Sequence, residues 1–211
     1  WLPASTTLEL SPVHITVRNE GQVLNIGPAT IRFGRETGGA RFAVTSAASD
    51  GATPIRFDVL VPLAPGPVEF GVAGGPVSLR ALGVEEHDLG LEDLEHAEME
   101  VNARATLSAD GRSLRISGRS RFDDLSLYQP RLARDPLRNL ALAVAGDADM
   151  NLDGSRVHVD DLRVDVGKVK LHAAGELARE GGHATGRLHF DVPLAACSDM
   201  LASTPTSLVP P

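Results

Sequence analysis

The chain has 211 residues, a formal net charge of -8 and a pI near 5.3, and it is 42% hydrophobic but only 4% aromatic. That length can bury one large β domain or two small ones, whereas the acidic balance excludes a nucleic-acid binder, which needs a concentrated basic surface. One cysteine, Cys197, rules out an intramolecular disulfide, and no apolar run reaches the ~18 residues of a membrane helix.

No charged-then-apolar leader opens the sequence, and the abrupt start at Trp1 and stop at Pro210-Pro211 read as cuts from a longer protein. Along the chain the periodicity is that of strands. A first hairpin is expected to pivot at Asn19-Glu20-Gly21, between Val13, Ile15, Val17 and Val23, Leu24, Ile26. Strands are expected at 29–34, 40–47, 55–61, 68–73 and 76–82. Prolines 54, 62, 65, 67 and 76 cluster here, and since proline cannot donate to a ladder, this stretch predicts an edge strand, a crossover or a joint, with a boundary near residue 75.

The alternation is clearest over 98–107, where Met99, Val101, Ala103, Ala105 and Leu107 share one face and Glu98, Glu100, Asn102, Arg104 and Thr106 the other. Asp110-Gly111 predicts a hairpin into Leu114, Ile116 and Gly118. The design recurs at Leu140, Leu142, Val144, Met150 and Leu152, with Asp153-Gly154 as the turn, 43 residues after the first Asp-Gly. Residues 130–138 predict a loop, and strands follow at 162–166, 168–177 and 184–192. The C-terminus alone reads as a helix, with Pro193 at its start and Leu194, Cys197, Met200 and Leu201 on one face. The expected fold class is all-β: antiparallel amphipathic strands in a curved, partly open sheet, a groove or half-barrel, with a short C-terminal helix.

No catalytic constellation emerges. Eight acids between Val84 and Val101 (Glu85, Glu86, Asp88, Glu92, Asp93, Glu95, Glu98, Glu100) equal the whole net charge, but their spacing fits neither a calcium loop nor a zinc helix, and they read as a solvated acidic face. His14, His158, His172 and His189 sit singly in strand patterns, Cys197 reads as a packed thiol, and Asp123-Asp124 and Asp160-Asp161 read as turn carboxylates. The arginines from Arg104 to Arg138 complement the acidic block or face water. No phosphate loop, nucleophile elbow or dinucleotide fingerprint is present, so no cofactor, metal or catalytic residue is expected.

From Leu137-Arg-Asn-Leu-Ala-Leu-Ala-Val-Ala-Gly146 through Val159-Asp-Asp-Leu-Arg-Val-Asp-Val-Gly-Lys-Val-Lys-Leu-His-Ala-Ala-Gly-Glu-Leu177, the chain resembles the AsmA-like and TamB-like envelope proteins. Residues 83–129, with Leu89-Gly-Leu-Glu-Asp-Leu-Glu-His-Ala97, look like another copy. The stretch 192–205 is similar to a segment found in some Gram-negative proteins with an AsmA-like region beside a peptidoglycan glycosyltransferase domain.

The resemblance implies a non-enzymatic repeating β-groove on the periplasmic side, tethered to the inner membrane by a segment outside this chain. Its partners would be a lipid or membrane surface, neighbouring repeats of the parent protein and the peptidoglycan machinery. The implied divisions are an N-terminal β subdomain (1–75), AsmA-like repeats (76–192) and a helix with tail (193–211). Acyl chains would meet Met99, Val101, Leu107, Leu142, Val144, Val169 and Leu171. Two other readings stand beside it: an accessory or spacer domain of a cell-wall glycosyltransferase, and a β-sandwich adhesion module with two facing sheets.

Overall fold

The computed structural model describes residues 6–19, 22–46, 53–80, 84, 90–128, 137–167, 169–180 and 183–193. Twelve strands make one antiparallel sheet: β1 (Thr7–Asn19), β2 (Gln22–Glu36), β3 (Gly39–Ser46), β4 (Arg56–Pro62), β5 (Val68–Ser78), β6 (Leu91–Glu92), β7 (Glu98–Leu107), β8 (Ser113–Leu127), β9 (Leu137–Asn151), β10 (Arg156–Val166), β11 (Val169–Glu180) and β12 (His183–Asp191). Neighbours in sequence are neighbours in space, as in a meander, except that β6 pairs only with the far end of β8 and β5 pairs directly with β7. The sheet does not close, so β1 and β12 are its two edges. The all-β expectation holds, and no helix occurs among the described residues. The expected C-terminal helix from Leu194 onward lies outside them.

Alternation explains why one layer forms. On β7 the odd-numbered residues from Met99 to Leu107 are partly buried, and Glu98, Glu100, Asn102 and Arg104 are exposed. Antiparallel pairing keeps apolar residues opposite apolar ones, because facing residues in register share a face. Met99 thus meets Phe122, Leu107 meets Leu114, and Leu114 meets Met150.

The two Asp-Gly hairpins form as expected, Asp110-Gly111 lying in the five-residue connection 108–112 and Asp153-Gly154 in the middle of the four-residue connection 152–155. Asp110 Oδ1 accepts from Ser108 Oγ (2.6 Å) and the Arg112 N–H (3.1 Å), and Asp153 Oδ1 accepts from the Ser155 N–H (2.9 Å). These bonds hold both carboxyls below their usual range, the Ser108 and Ser155 contacts being the leading causes. The hairpin expected at Asn19-Glu20-Gly21 joins β1 to β2, and Asn19 pairs with Gln22.

The proline-rich stretch departs from expectation. It supplies β4 and β5, which are interior strands, each paired on both sides. The prolines are accommodated because Pro54 precedes β4, Pro62 ends it, Pro65 and Pro67 lie in the connection, and Pro76 falls where the β5–β7 register slips between Gly74 and Val77. Residue 75 lies inside β5, so the sheet crosses that boundary without interruption. The expected separate strand at 76–82 is instead the end of β5, which leaves the sheet after Ser78.

Asp124 and Asp160 are bulge residues within strands rather than turn residues. The register shifts between Phe122 and Leu125 and between Val159 and Asp161, and Asp124 takes φ 54°, a left-handed conformation that aspartate tolerates.

Candidate functional site

The apolar face is continuous across the sheet. One row runs Leu8, Phe33, Phe42, Val59, Phe70 and Ala105, and continues through Ile116, Ala148, Val159, Gly175 and Leu188. The next runs Leu10, Ile31, Val44, Phe57, Val72 and Ala103, and continues through Gly118, Gly146, Leu162, Ala173 and Phe190. Eleven strands at about 4.8 Å spacing make each row roughly 48 Å long. All six phenylalanines of the chain lie on this face.

Little covers it. The described hydrophobic core is seven residues, four of them alanine or leucine in one cluster: Leu79, Leu94, Ala97 and Leu125. Leu79, Leu94 and Ala97 come from the chain between β5 and β7, which folds back over one corner of the apolar face, and together with Leu125 of β8 they pack on Met99, Phe122, Leu140 and Leu142. The Leu79 N–H donates to Ala97 O (2.9 Å), Ser78 Oγ to Leu94 O (3.1 Å) and the Tyr128 N–H to Gly90 O (2.7 Å), while β6 extends the far end of β8. The acidic stretch therefore does more than face solvent. Glu92, Asp93 and Glu95 lie outward on a flap whose inner residues, Leu94 and Ala97, are 1% and 0% exposed.

All seven residues implied as lipid contacts share the apolar face. Met99, Leu142 and Val169 fall in one row with Phe122 and Val166, and Val101, Val144 and Leu171 in the next with Ser120 and Val164. Leu107 stands at the opposite end of the strands, in a row with Leu114, Met150, Val157 and Leu177. The flap divides the set: it covers Met99 and Leu142, whereas Val101, Leu107, Val144, Val169 and Leu171 lie outside the cluster. The apolar residues of β1 to β5 extend the same surface and were not singled out from the sequence, although Phe33, Phe42, Phe57 and Phe70 carry its aromatic bulk.

In the middle lies a hollow of about 340 Å³ bounded by Ala103, Ile116, Val144 and Leu162. Its floor is bare because Gly118 and Gly146 are in register there. A Cβ on Gly118 would stand 2.5 Å from Ala103 Cβ and 2.6 Å from its Cα, and one on Gly146 2.6 Å from Asp161 O, so only glycine permits the close approach of strands that bends the sheet.

The other face is ionic. Arg32 pairs with Glu9 (2.7 Å), Arg41 with Asp58 (2.6 Å) and Glu36 (2.8 Å), Arg121 with Asp123 (2.7 Å) and Arg163 with Asp161 (2.8 Å). Exposed pairs of this kind add little to stability, so their main effect is to keep this face wet. His158 and His172 lie on it, His158 Nε2 being 3.1 Å from Asp160, and among the described residues no cluster of His, Cys, Asp and Glu could hold a metal ion.

No family model matches the chain, and neither a curated protein nor a solved structure does.

Proposed function

We propose that this chain is a non-enzymatic β-groove of AsmA-like type that shields lipid acyl chains in the periplasm, for intermembrane lipid transport or envelope assembly. The observation that carries the reading is the apolar face itself, unbroken over eleven strands and, among the described residues, covered at one corner. Each acyl methylene taken from water onto such a face contributes about 0.8 kcal/mol. At roughly 48 Å the face exceeds by about threefold the ~15 Å thickness of one leaflet's hydrocarbon.

Its chemistry fits a hydrocarbon better than a protein surface. Protein interfaces make about one hydrogen bond per 100–200 Å² and are enriched in Tyr, Trp, Phe, Met and Arg, whereas the rows from β7 to β11 are mostly Leu, Val, Ile, Ala and Gly, with Met99, Met150, Phe122 and one hydroxyl, Ser120, and no Tyr, Trp or Arg. The test is native mass spectrometry of the protein after exposure to phospholipid. Bound acyl lipid, lost in Ile116→Asn, is expected. A delipidated protein that takes up none, or one whose apolar faces are buried against each other in a stable dimer, would overturn the reading.

A further inference from the structure

The two edges of the sheet are not alike. At β1 the edge is blunted: Pro12 has no N–H to offer, and the register with β2 slips between Leu10 and Val13 and again between Val13 and Ile15. β12 carries neither device. It holds nine consecutive pairs with β11, from His172–Asp191 to Glu180–His183, without a proline or a slip. Every side chain described on it is exposed, Phe190 to 59% and Leu188 to 39%, and Val192 just beyond it to 48%. The Arg179 N–H donates to Ser155 O (2.8 Å), so the odd-numbered residues of β11 bond toward β10 and the even-numbered ones toward β12. Their partners Arg187, His189 and Asp191 therefore turn their backbone groups inward. The N–H and C=O of Gly186, Leu188 and Phe190 are left on the outer side, where no strand among the described residues pairs with them.

A strand that adds here has to set apolar residues against apolar ones, and β12 does so against itself. Run antiparallel to a second β12 about an axis at His189, Leu188 faces Phe190 of the other copy and Gly186 faces Val192, each twice by symmetry. On the ionic face Arg187 meets Asp191 of the other copy, also twice. Among the described residues neither makes an ion pair in its own chain: Glu176, across β11 from Arg187, is taken by Arg156 (2.5 Å), and His172 lies across from Asp191. Only His189 meets its own kind. An axis at Arg187 would instead set two guanidinium groups face to face. We propose that β12 is the contact of a twofold homodimer, joined by β12–β12 pairing into one sheet whose apolar face runs on through the axis. A surface that pairs with itself closes, whereas β12 on β1 would propagate copy after copy, which Pro12 and the slips of β1 oppose. This goes beyond the acyl-binding reading, since both apolar faces stay open in such a dimer.

The experiment is sedimentation equilibrium of the 211-residue chain over a concentration series, combined with charge reversal. Wild type should pass from the 22.2 kDa monomer toward twice that mass. Arg187→Asp and Asp191→Arg should each weaken self-association roughly tenfold or more, because like charges then stand opposite. An equimolar mixture of the two should recover the dimer, since every such pair is again of opposite sign. His189→Cys in a Cys197→Ser background should cross-link on mild oxidation, because residues directly opposed in this phase have Cα atoms about 4.5 Å apart, within disulfide reach. Thr185→Cys in the same background, far from its copy, should not. Wild type that stays monomeric at every concentration, single variants that dimerise as wild type does, a mixture of folded variants that stays monomeric, or equal cross-linking of Thr185→Cys would each overturn the contact. Acyl lipid bound by a strictly monomeric chain would strike this inference alone, and a β12-linked dimer that binds no acyl lipid would strike the acyl-binding reading alone.

Discussion

On a single face of this sheet, Leu94 is 1% exposed and packs on Phe122, while Phe190 at the β12 edge is 59% exposed. Both regions are made of the same residue types. They differ because the chain between β5 and β7 returns over the first and nothing described returns over the second. Among the described residues the one clustered core lies under the flap, and elsewhere, apart from the buried Ala29, Ala43 and Ala173, the hydrophobic residues are held side by side by the ladder and half-wet. The covered corner is packed, and the rest of the face is exposed among the described residues.

The sharpest way to break this contrast is Leu94→Ala. As the largest fully buried side chain described, its truncation should cost about 2–5 kcal/mol, read as a fall in urea midpoint at unchanged slope. A loss below about 1 kcal/mol would mean that the flap is not the stabilising core. Ile116→Asn, on the same face but 40% exposed, should cost roughly 1 kcal/mol or less. Far-UV circular dichroism with denaturant titration separates that small cost from the lipid loss expected above, and a collapse equal to Leu94→Ala would show the open face to be core after all.

The smallest effect concerns the flap's outer surface. His96 Nδ1 lies 2.7 Å from Asp93 Oδ1, and that hydrogen bond, followed by the charge of Asp93, raises the imidazole pKa above its ordinary 6.5. A raised folded-state pKa means that the stabilisation is fully present below about 6.5 and fades as pH rises through the folded value. His96→Asn should flatten stability between roughly pH 6 and 8, by a margin near the limit of detection for an exposed pair. An unchanged pH profile would remove the pair from the flap's energetics.

Much of the fold was legible because alternation is a strong signal. The alternation from Met99 to Leu107 follows from period-two patterning and the two Asp-Gly connections from their turn residues. The flap was not legible, because its buried residues, Leu79, Leu94 and Ala97, are sparse among eight acids, and charge density masks a short apolar insert that has no regular period. The interior place of β4 and β5 was hidden for another reason. Proline forbids a ladder bond only at its own nitrogen, and here each proline falls at a strand end, in a connection or at a register slip. Nor can a sequence show whether a face stays uncovered, since that depends on what the rest of the chain packs against.

The register shifts in β5, β8 and β10 act on the hydrophobic code as a frameshift acts on a reading frame. Val157 and Val159 are odd-numbered, and Leu162, Val164 and Val166 are even, yet all face the groove because Asp160 is looped out between them. Pro76 separates Gly74 from Val77 in the same way, as Asp124 separates Phe122 from Leu125. Evolution can therefore lengthen or trim the strands by one residue only in pairs, or at such register shifts, which also occur in the β1–β2 pair and in β9. Elsewhere a single deletion would turn every downstream side chain inside out.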